Sequence, residues 1–245
     1  MTLDETYERI LLGIDREKRD HAIRLLNCIA FSRRPLLVEE LAEILAVQFD
    51  TTIPRLNTSL RPGDADEAVL SACSTLVTTI KLNNYKTYIS RLVVQFSHYS
   101  VKEFLTSGRL AKSDKRDLSQ YYISPEPAHT ILAQSCISTL LQLDIHFNDI
   151  ENSFPLAKYA AQNWFYHAHC DGVACRLQDG MVHLFDPDKK HFFNVGGSLN
   201  CYHHHGTVFP RLKPGQGLVN ARRRTTAMTL ASVFSPSTTT GPPQA

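Results

Sequence analysis

The sequence has no apolar run approaching the 18–20 or so residues that a bilayer-spanning helix needs. Its N-terminus begins Met-Thr-Leu-Asp-Glu, with acidic residues where a secretory signal peptide would carry positive charge and an apolar core. The six cysteines include no CxxC pair. We therefore predict a cytoplasmic protein without a membrane partner, whose cysteines are small core residues rather than disulfide bridges.

Motifs for enzymatic chemistry are also missing. The nearest approach to a phosphate-binding loop, Gly-Arg-Leu-Ala-Lys-Ser at 108–113, has alanine where the second glycine must stand. The chain contains no GxSxG elbow, HExxH, EF-hand loop or GxGxxG. No nucleophile–base pair or carboxylate pair can be assembled from the sequence, so we predict a protein that is not an enzyme, with no catalytic and no cofactor-binding residues.

The histidines and cysteines give only a weak metal-site pattern. The best cluster comprises His167, His169, Cys170 and Cys175. The first three are spaced i, i+2 and i+3 and converge poorly on one helix face, so we predict an exposed helix end and no metal site. Single histidines such as His98 and His129 have no identifiable nucleophile or acid partner, and no catalytic role is expected for them.

What the sequence does contain is an uneven distribution of charge. The net charge is +2, from 26 Lys+Arg and 24 Asp+Glu. Seven of the basic residues and none of the acidic ones follow Asp188, so residues 1–188 carry −5. The final 50 residues also hold 11 of the 23 glycines and prolines. We predict a folded, mildly acidic body and a disordered basic tail at 194–245.

Hydrophobic periodicity predicts the fold of the first part. Helical spacing is found at 16–31, 36–47 and 67–77, with a loop at 48–66. β-branched residues and strict alternation over 78–96, with a turn at Asn83-Asn84, then predict a hairpin. Three helices followed by a hairpin are the order of a winged-helix domain, assigned to residues 1–110.

The second part is again helical. Apolar spacing predicts helices at 127–142, 154–170 and 173–185, with Trp164 and Phe165 as core anchors. These helices form a segment over residues 111–193. The predicted fold class is therefore mainly α with a small β-hairpin wing, that is, a winged-helix domain followed by a helical segment and a disordered tail.

The third helix of a winged helix is the one that often reads DNA, and here it is unsuited to that task. Residues 67–80 contain no basic and no amide side chain. The preceding helix is expected to present glutamates to solvent, which phosphates would repel. A surface for protein partners is predicted instead, formed by Arg33, Arg34, Glu39, Glu40 and Glu43.

Several stretches of the amino-acid sequence resemble those of a known family. They are LDETYERIL at 3–11, AFSRRPL at 30–36 with EELAE at 39–43, FSHYSVKEFL at 96–105, FPLAKYAAQNWFYHA at 154–168 and LFDPDKKHF at 184–192. In this order they resemble fungal NACHT-type STAND NTPases with ankyrin repeats, over the GPI inositol-deacylase-type winged helix and the helices after it. The resemblance implies a non-catalytic regulatory module that packs on the nucleotide-binding unit, while the following helices couple it to the repeat sensor.

The departures from that family matter equally. The chain has no Walker A motif and no ankyrin-like Thr-Pro-Leu-His-x-Ala string, and the resemblance stops at Phe193. We expect a fragment of a split or mis-spliced gene, whose protein partners are a NACHT NTPase domain and ankyrin repeats in cis or in trans. A winged-helix nucleic-acid-binding protein with a basic tail is the first alternative, ahead of an uncharacterised enzyme or a degenerate gene product.

Overall fold

The computed structural model describes residues 2–83, 90–143 and 153–186. The first part is built from α1 (Leu3–Leu12), α2 (Arg19–Phe31), β1 (Leu36–Leu37), α3 (Val38–Leu45), β2 (Val47–Gln48), β3 (Arg55–Leu56), α4 (Ala65–Cys73), β4 (Val77–Asn83) and β5 (Ser90–Phe96). The second part contains α5 (Tyr99–Leu105), α6 (Gly108–Ala111), α7 (Arg116–Ser119), α8 (Pro125–Leu140), α9 (Ala157–Ala168) and α10 (Gln178–Leu184).

The main sheet has the strand order β1-β5-β4 and is antiparallel throughout. Leu36 of β1 pairs with Val94 of β5, and Ile80 of β4 pairs with Val93. A short strand between α2 and α3, paired with the second strand of the hairpin that follows α4, is the topology of a winged helix. The predicted mainly α fold with a small β-hairpin wing and following helices is therefore confirmed. Asn84 of the predicted turn lies outside the described residues.

Two expectations about the region between α2 and α4 are wrong. The helix predicted at 36–47 is shorter, because Leu36 and Leu37 extend and hydrogen-bond to β5 before α3 begins. The loop predicted at 48–66 contains β3, whose Leu56 pairs with Val47 of β2, and a 3₁₀ turn at Thr58–Leu60. Two-residue strands carry too little alternation to be recognised in a sequence.

Helix α8 is the central helix of the second part. Pro125 occupies its N-terminal end, so α8 starts two residues before the predicted 127. Its residues are apolar or small on almost every face, and most are buried. A helix of that composition must be covered all round. Helix α2 of the winged helix packs on α8 from one direction, and α9 packs on it from another.

One hydrophobic core extends through both parts. The same cluster of buried side chains includes Leu26 of α2, Leu41 of α3, Leu132 of α8 and Trp164 of α9. Trp164 is 2% exposed, as predicted for a core anchor, and Phe165 is half-buried against the core. Within the described parts of the chain, no helix is long and apolar enough to cross a membrane. The tail predicted at 194–245 lies outside the described residues, and the domain boundaries stay predictions.

Candidate functional site: the polar junction

Polar side chains are concentrated where the winged helix meets α8 and α9, and we call this region the polar junction. Three local features build it: the turn at 32–35 after α2, the polar side of α3, and the segment 153–167 that leads into and through α9. Each contributes groups that are buried but charged or hydrogen-bonded. A buried polar group is costly unless it is paired, so the partners of each group explain why it is there.

Glu40 ties the turn at 32–35 to the start of α3. Its carboxylate accepts hydrogen bonds from both terminal nitrogens of Arg34, at 2.7 and 2.6 Å, and from the backbone N–H of Leu37 at 2.8 Å. The hydrogen bond to Glu40 raises the pKa of Arg34, whose guanidinium also lies 5.0 Å from the centre of the Tyr159 ring. A bidentate pair of this kind fixes orientation as well as charge.

Glu43, one turn further along α3, reaches the second part of the chain directly. One carboxylate oxygen accepts from Arg61, and the other accepts from the backbone N–H of Leu156 at 2.6 Å. Arg61 in turn donates to the carbonyl of Ser153 at 2.8 Å and lies over the Phe154 ring. Burial raises the pKa of the Glu43 carboxyl, and the Leu156 N–H and Arg61 oppose that rise.

The expectation that Glu40 and Glu43 face solvent is wrong, since they are only 1% and 2% exposed. The polar side of α3 is covered by Arg34, Arg61 and the segment that leads into α9. Local amphipathicity cannot reveal this cover, because most of it comes from distant residues. Of the predicted interaction surface, Arg33 and Glu39 are exposed and Arg34 is half-buried. An arginine six positions before a glutamate at the third position of a helix is the local sequence signal for the Arg34–Glu40 pair.

A chain of hydrogen bonds joins the turn at 32–35 to α8 and α9. The Tyr159 hydroxyl accepts from the backbone N–H of Arg33 at 3.2 Å and lies 2.8 Å from Nε2 of His167. Nδ1 of His167 lies 2.8 Å from Nδ1 of His129. If every buried donor is to have an acceptor, Tyr159 donates to His167, and His167 donates to His129. His129 then carries its own proton on Nε2.

Both imidazoles in this chain are held neutral. Burial, followed by His129 and Arg33, lowers the pKa of His167 to about 3, and burial lowers the pKa of His129. Protonating both Nδ1 atoms would set two donors against each other. The partner of His129 is thus another histidine, 38 positions away in sequence, rather than a nucleophile or an acid.

The predicted metal-like cluster is divided by the fold. His167 is fully buried in the hydrogen-bond chain, whereas His169 and Cys175 are exposed and Cys170 is half-buried. The described residues contain no group of three or more His, Cys, Asp or Glu side chains placed to hold a metal. His98 caps α5, where its Nδ1 accepts from the backbone N–H of Ser100 at 3.3 Å.

Helix α4, in the position of a DNA-reading helix, is acidic at its start. Asp66 and Glu67 lie in its first turn and are exposed, as is Ser71 one turn later. Neither carboxylate offers a donor to base edges, and phosphates repel both. The first turn of the helix that would face the major groove therefore presents two carboxylates.

The fold thus defines a winged-helix protein in which the chain that follows covers the polar side of α3. Comparison with known proteins agrees on the winged helix. Residues 7–115 match the family model for the GPI inositol-deacylase winged helix domain. A curated relative, azaphilone pigments biosynthesis cluster protein L of Monascus ruber, is 31% identical over 195 residues, which are 78% of this chain and 40% of that protein. The chain spans about two fifths of that relative's length. No solved structure matches the chain.

Proposed function

We propose that this chain is a non-catalytic regulatory and protein-interaction module of a NACHT-type signalling NTPase. In this role the winged helix and the following helices move as one piece, which couples a NACHT NTPase domain to ankyrin repeats in cis or in trans. The observation that carries the proposal is the hydrogen bond from the Leu156 backbone to Glu43, across 113 positions of sequence. Through this hydrogen bond, the polar side of α3 makes a contact within the molecule.

A change of position in one half of the chain reaches the other half through the contacts that join them. A module couples two partners only if its halves do not move independently, and hydrogen bonds to a charged group add geometric specificity as well as energy. Three hydrogen bonds cross between the halves: from the Leu156 N–H to Glu43, from Arg61 to the Ser153 carbonyl, and from the Arg33 N–H to the Tyr159 hydroxyl. The resemblance to NACHT-type proteins, together with the family match over residues 7–115, supports the choice of partner.

The test measures nucleotide release. A fungal NACHT NTPase domain is loaded with a fluorescent ADP, and the purified full chain is added. We expect the chain to slow release, Glu43→Gln to weaken that effect because it loosens the polar junction, and exposed Glu39→Gln to leave it unchanged. Release that is identical with and without the chain would reject the proposal.

The nucleic-acid alternative is tested separately, by anisotropy with duplex DNA across a salt series. We expect any affinity to fall, and its dependence on salt to become shallower, when Arg222, Arg223 and Arg224 in the tail are replaced by glutamine, because non-specific binding scales with the number of phosphates neutralised. Sequence-dependent binding that survives these substitutions would favour the alternative.

A further inference from the structure

Three rings form a continuous row across the boundary between the winged helix and the following helices. Phe31 ends α2, His129 lies near the start of α8, and Tyr166 lies near the end of α9. The ring centres of Phe31 and His129 are 5.2 Å apart, and those of His129 and Tyr166 are 5.8 Å apart. Both contacts are edge-to-face, the arrangement that aromatic rings prefer.

A cation is held at each end of this row. The Lys102 ammonium lies 5.4 Å from the centre of the Phe31 ring, and the Arg33 guanidinium lies 4.6 Å from the centre of the Tyr166 ring. Both residues are exposed, and neither side chain has a carboxylate or hydrogen-bond partner among the described residues. Arg34 and Arg61 nearby are both paired with glutamates. The ring contacts therefore position two charges whose donors remain open to solvent.

Exposed aromatic surface accompanies the two cations. Tyr166 is 46% exposed, and Tyr99, one helical turn before Lys102 on α5, is 70% exposed. Tyrosine and arginine are among the residue types most enriched in the side chains that dominate protein–protein binding. Glu103 follows Lys102, but adjacent positions on a helix point about 100° apart, so it is not on the same face.

We propose that the surface of Arg33, Lys102, Tyr99 and Tyr166 binds an acidic segment of a protein partner. This rests on the proposed function and adds the surface and the chemistry of the partner. From Lys102 to Arg33 the row measures 5.4, 5.2, 5.8 and 4.6 Å between successive groups. The two cations are no further apart than the length of this row, and an extended chain advances about 3.3–3.6 Å per residue, so acidic residues up to about six positions apart reach both cations.

A nucleic acid fits this surface less well than an acidic peptide. The affinity of a protein for a duplex rises with the number of phosphates that its cations neutralise, and this surface offers only two cations. Carboxylates spaced along a peptide, with apolar side chains between them, match both the two charges and the tyrosines.

The experiment uses the full chain and fluorescence anisotropy at near-physiological salt. The probe is a fluorescein-labelled peptide of about twelve residues, with glutamates five positions apart and leucines between them. Its glutamine counterpart is the ligand control. We expect the glutamate peptide to bind, and the double variant Arg33→Gln with Lys102→Gln to bind about tenfold more weakly, as expected for the loss of two exposed ion pairs.

Matched variants separate this surface from general charge effects. Arg55 and Lys112 are exposed cations elsewhere on the body, and their double replacement by glutamine should leave affinity unchanged. The basic residues after Asp188 contribute the same background to every variant. Arg33→Lys with Lys102→Arg should retain binding, and an unchanged circular dichroism spectrum shows that the glutamine variants are folded.

Several results would overturn the inference. They are equal affinity for the two peptides, equal losses in the two glutamine double variants, or competition by duplex DNA that depends on Arg33 and Lys102. The inference and the proposed function fail separately. An effect on nucleotide release that survives Arg33→Gln with Lys102→Gln rejects the surface alone, whereas peptide binding without any effect on release rejects the function alone.

Discussion

Replacing Tyr159 with phenylalanine removes a single oxygen from the centre of the polar junction. The side chain is fully buried, and phenylalanine keeps the ring and its packing. What is lost is the acceptor for the Arg33 backbone N–H and the donor to Nε2 of His167. Tyr121 offers a matched control, because it is 1% exposed and its hydroxyl has no hydrogen-bond partner among the described residues.

The expected loss of stability depends on whether each former partner of the Tyr159 hydroxyl can find another hydrogen bond. Nε2 of His167 is left buried without a partner, which costs about 1–3 kcal/mol, whereas Arg33 is exposed and its N–H can find water. We therefore expect Tyr159→Phe to lower the free energy of unfolding by about 2 kcal/mol. For a chain of this size that is a melting temperature lower by about 4–8 °C. Tyr121→Phe should be neutral or slightly stabilising.

Chemical denaturation followed by circular dichroism measures both variants against the wild-type chain. Equal free energies of unfolding for Tyr159→Phe and Tyr121→Phe would refute the hydrogen-bond chain as a source of stability. A change in the slope with denaturant, rather than the midpoint, would instead show that the denatured state had changed.

Two further predictions concern the charges of the polar junction. Because the folded state lowers the pKa of His129 and His167, the unfolded chain binds more protons below the ordinary histidine pKa near 6.5. Stability should therefore fall as pH drops below about 6.5, by up to about 1.4 kcal/mol per pH unit for each ring, and His167→Phe should reduce that slope in pH-dependent urea unfolding. Glu43→Gln should cost about 2–3 kcal/mol, less than a fully buried pair because Arg61 is 30% exposed, while Glu39→Gln should stay within about 0.5 kcal/mol. A steeper pH slope in His167→Phe, or equal costs for the two glutamates, would contradict these expectations.

The winged helix could be predicted because its elements have local signatures. The apolar stripe of α2 and the alternation in β5 depend on residues within one element, and the period changes from helical to extended where the hairpin begins. The buried Trp164 could be predicted for the same reason. Such patterns report which side of an element is apolar, and the core follows from that.

The polar junction could not be predicted because its partners are distant in sequence. Glu43 has the spacing of a solvent-facing residue on α3, and only the approach of Leu156 and Arg61 makes it a buried one. His129 and His167 each resemble an isolated histidine until α8 and α9 pack together. Local amphipathicity assigns every charged residue to solvent. It therefore fails for a charged residue that is buried by an oppositely charged partner from a distant part of the chain.

Native-state hydrogen exchange tests the central claim, that the winged helix and the following helices form one cooperative unit. Amides of α3 and α9 are compared across a range of low denaturant concentrations. We predict that both helices exchange through the same opening, with equal free energies that Tyr159→Phe lowers by equal amounts. A lower-energy opening that releases the amides of α9 while those of α3 stay protected would contradict the account.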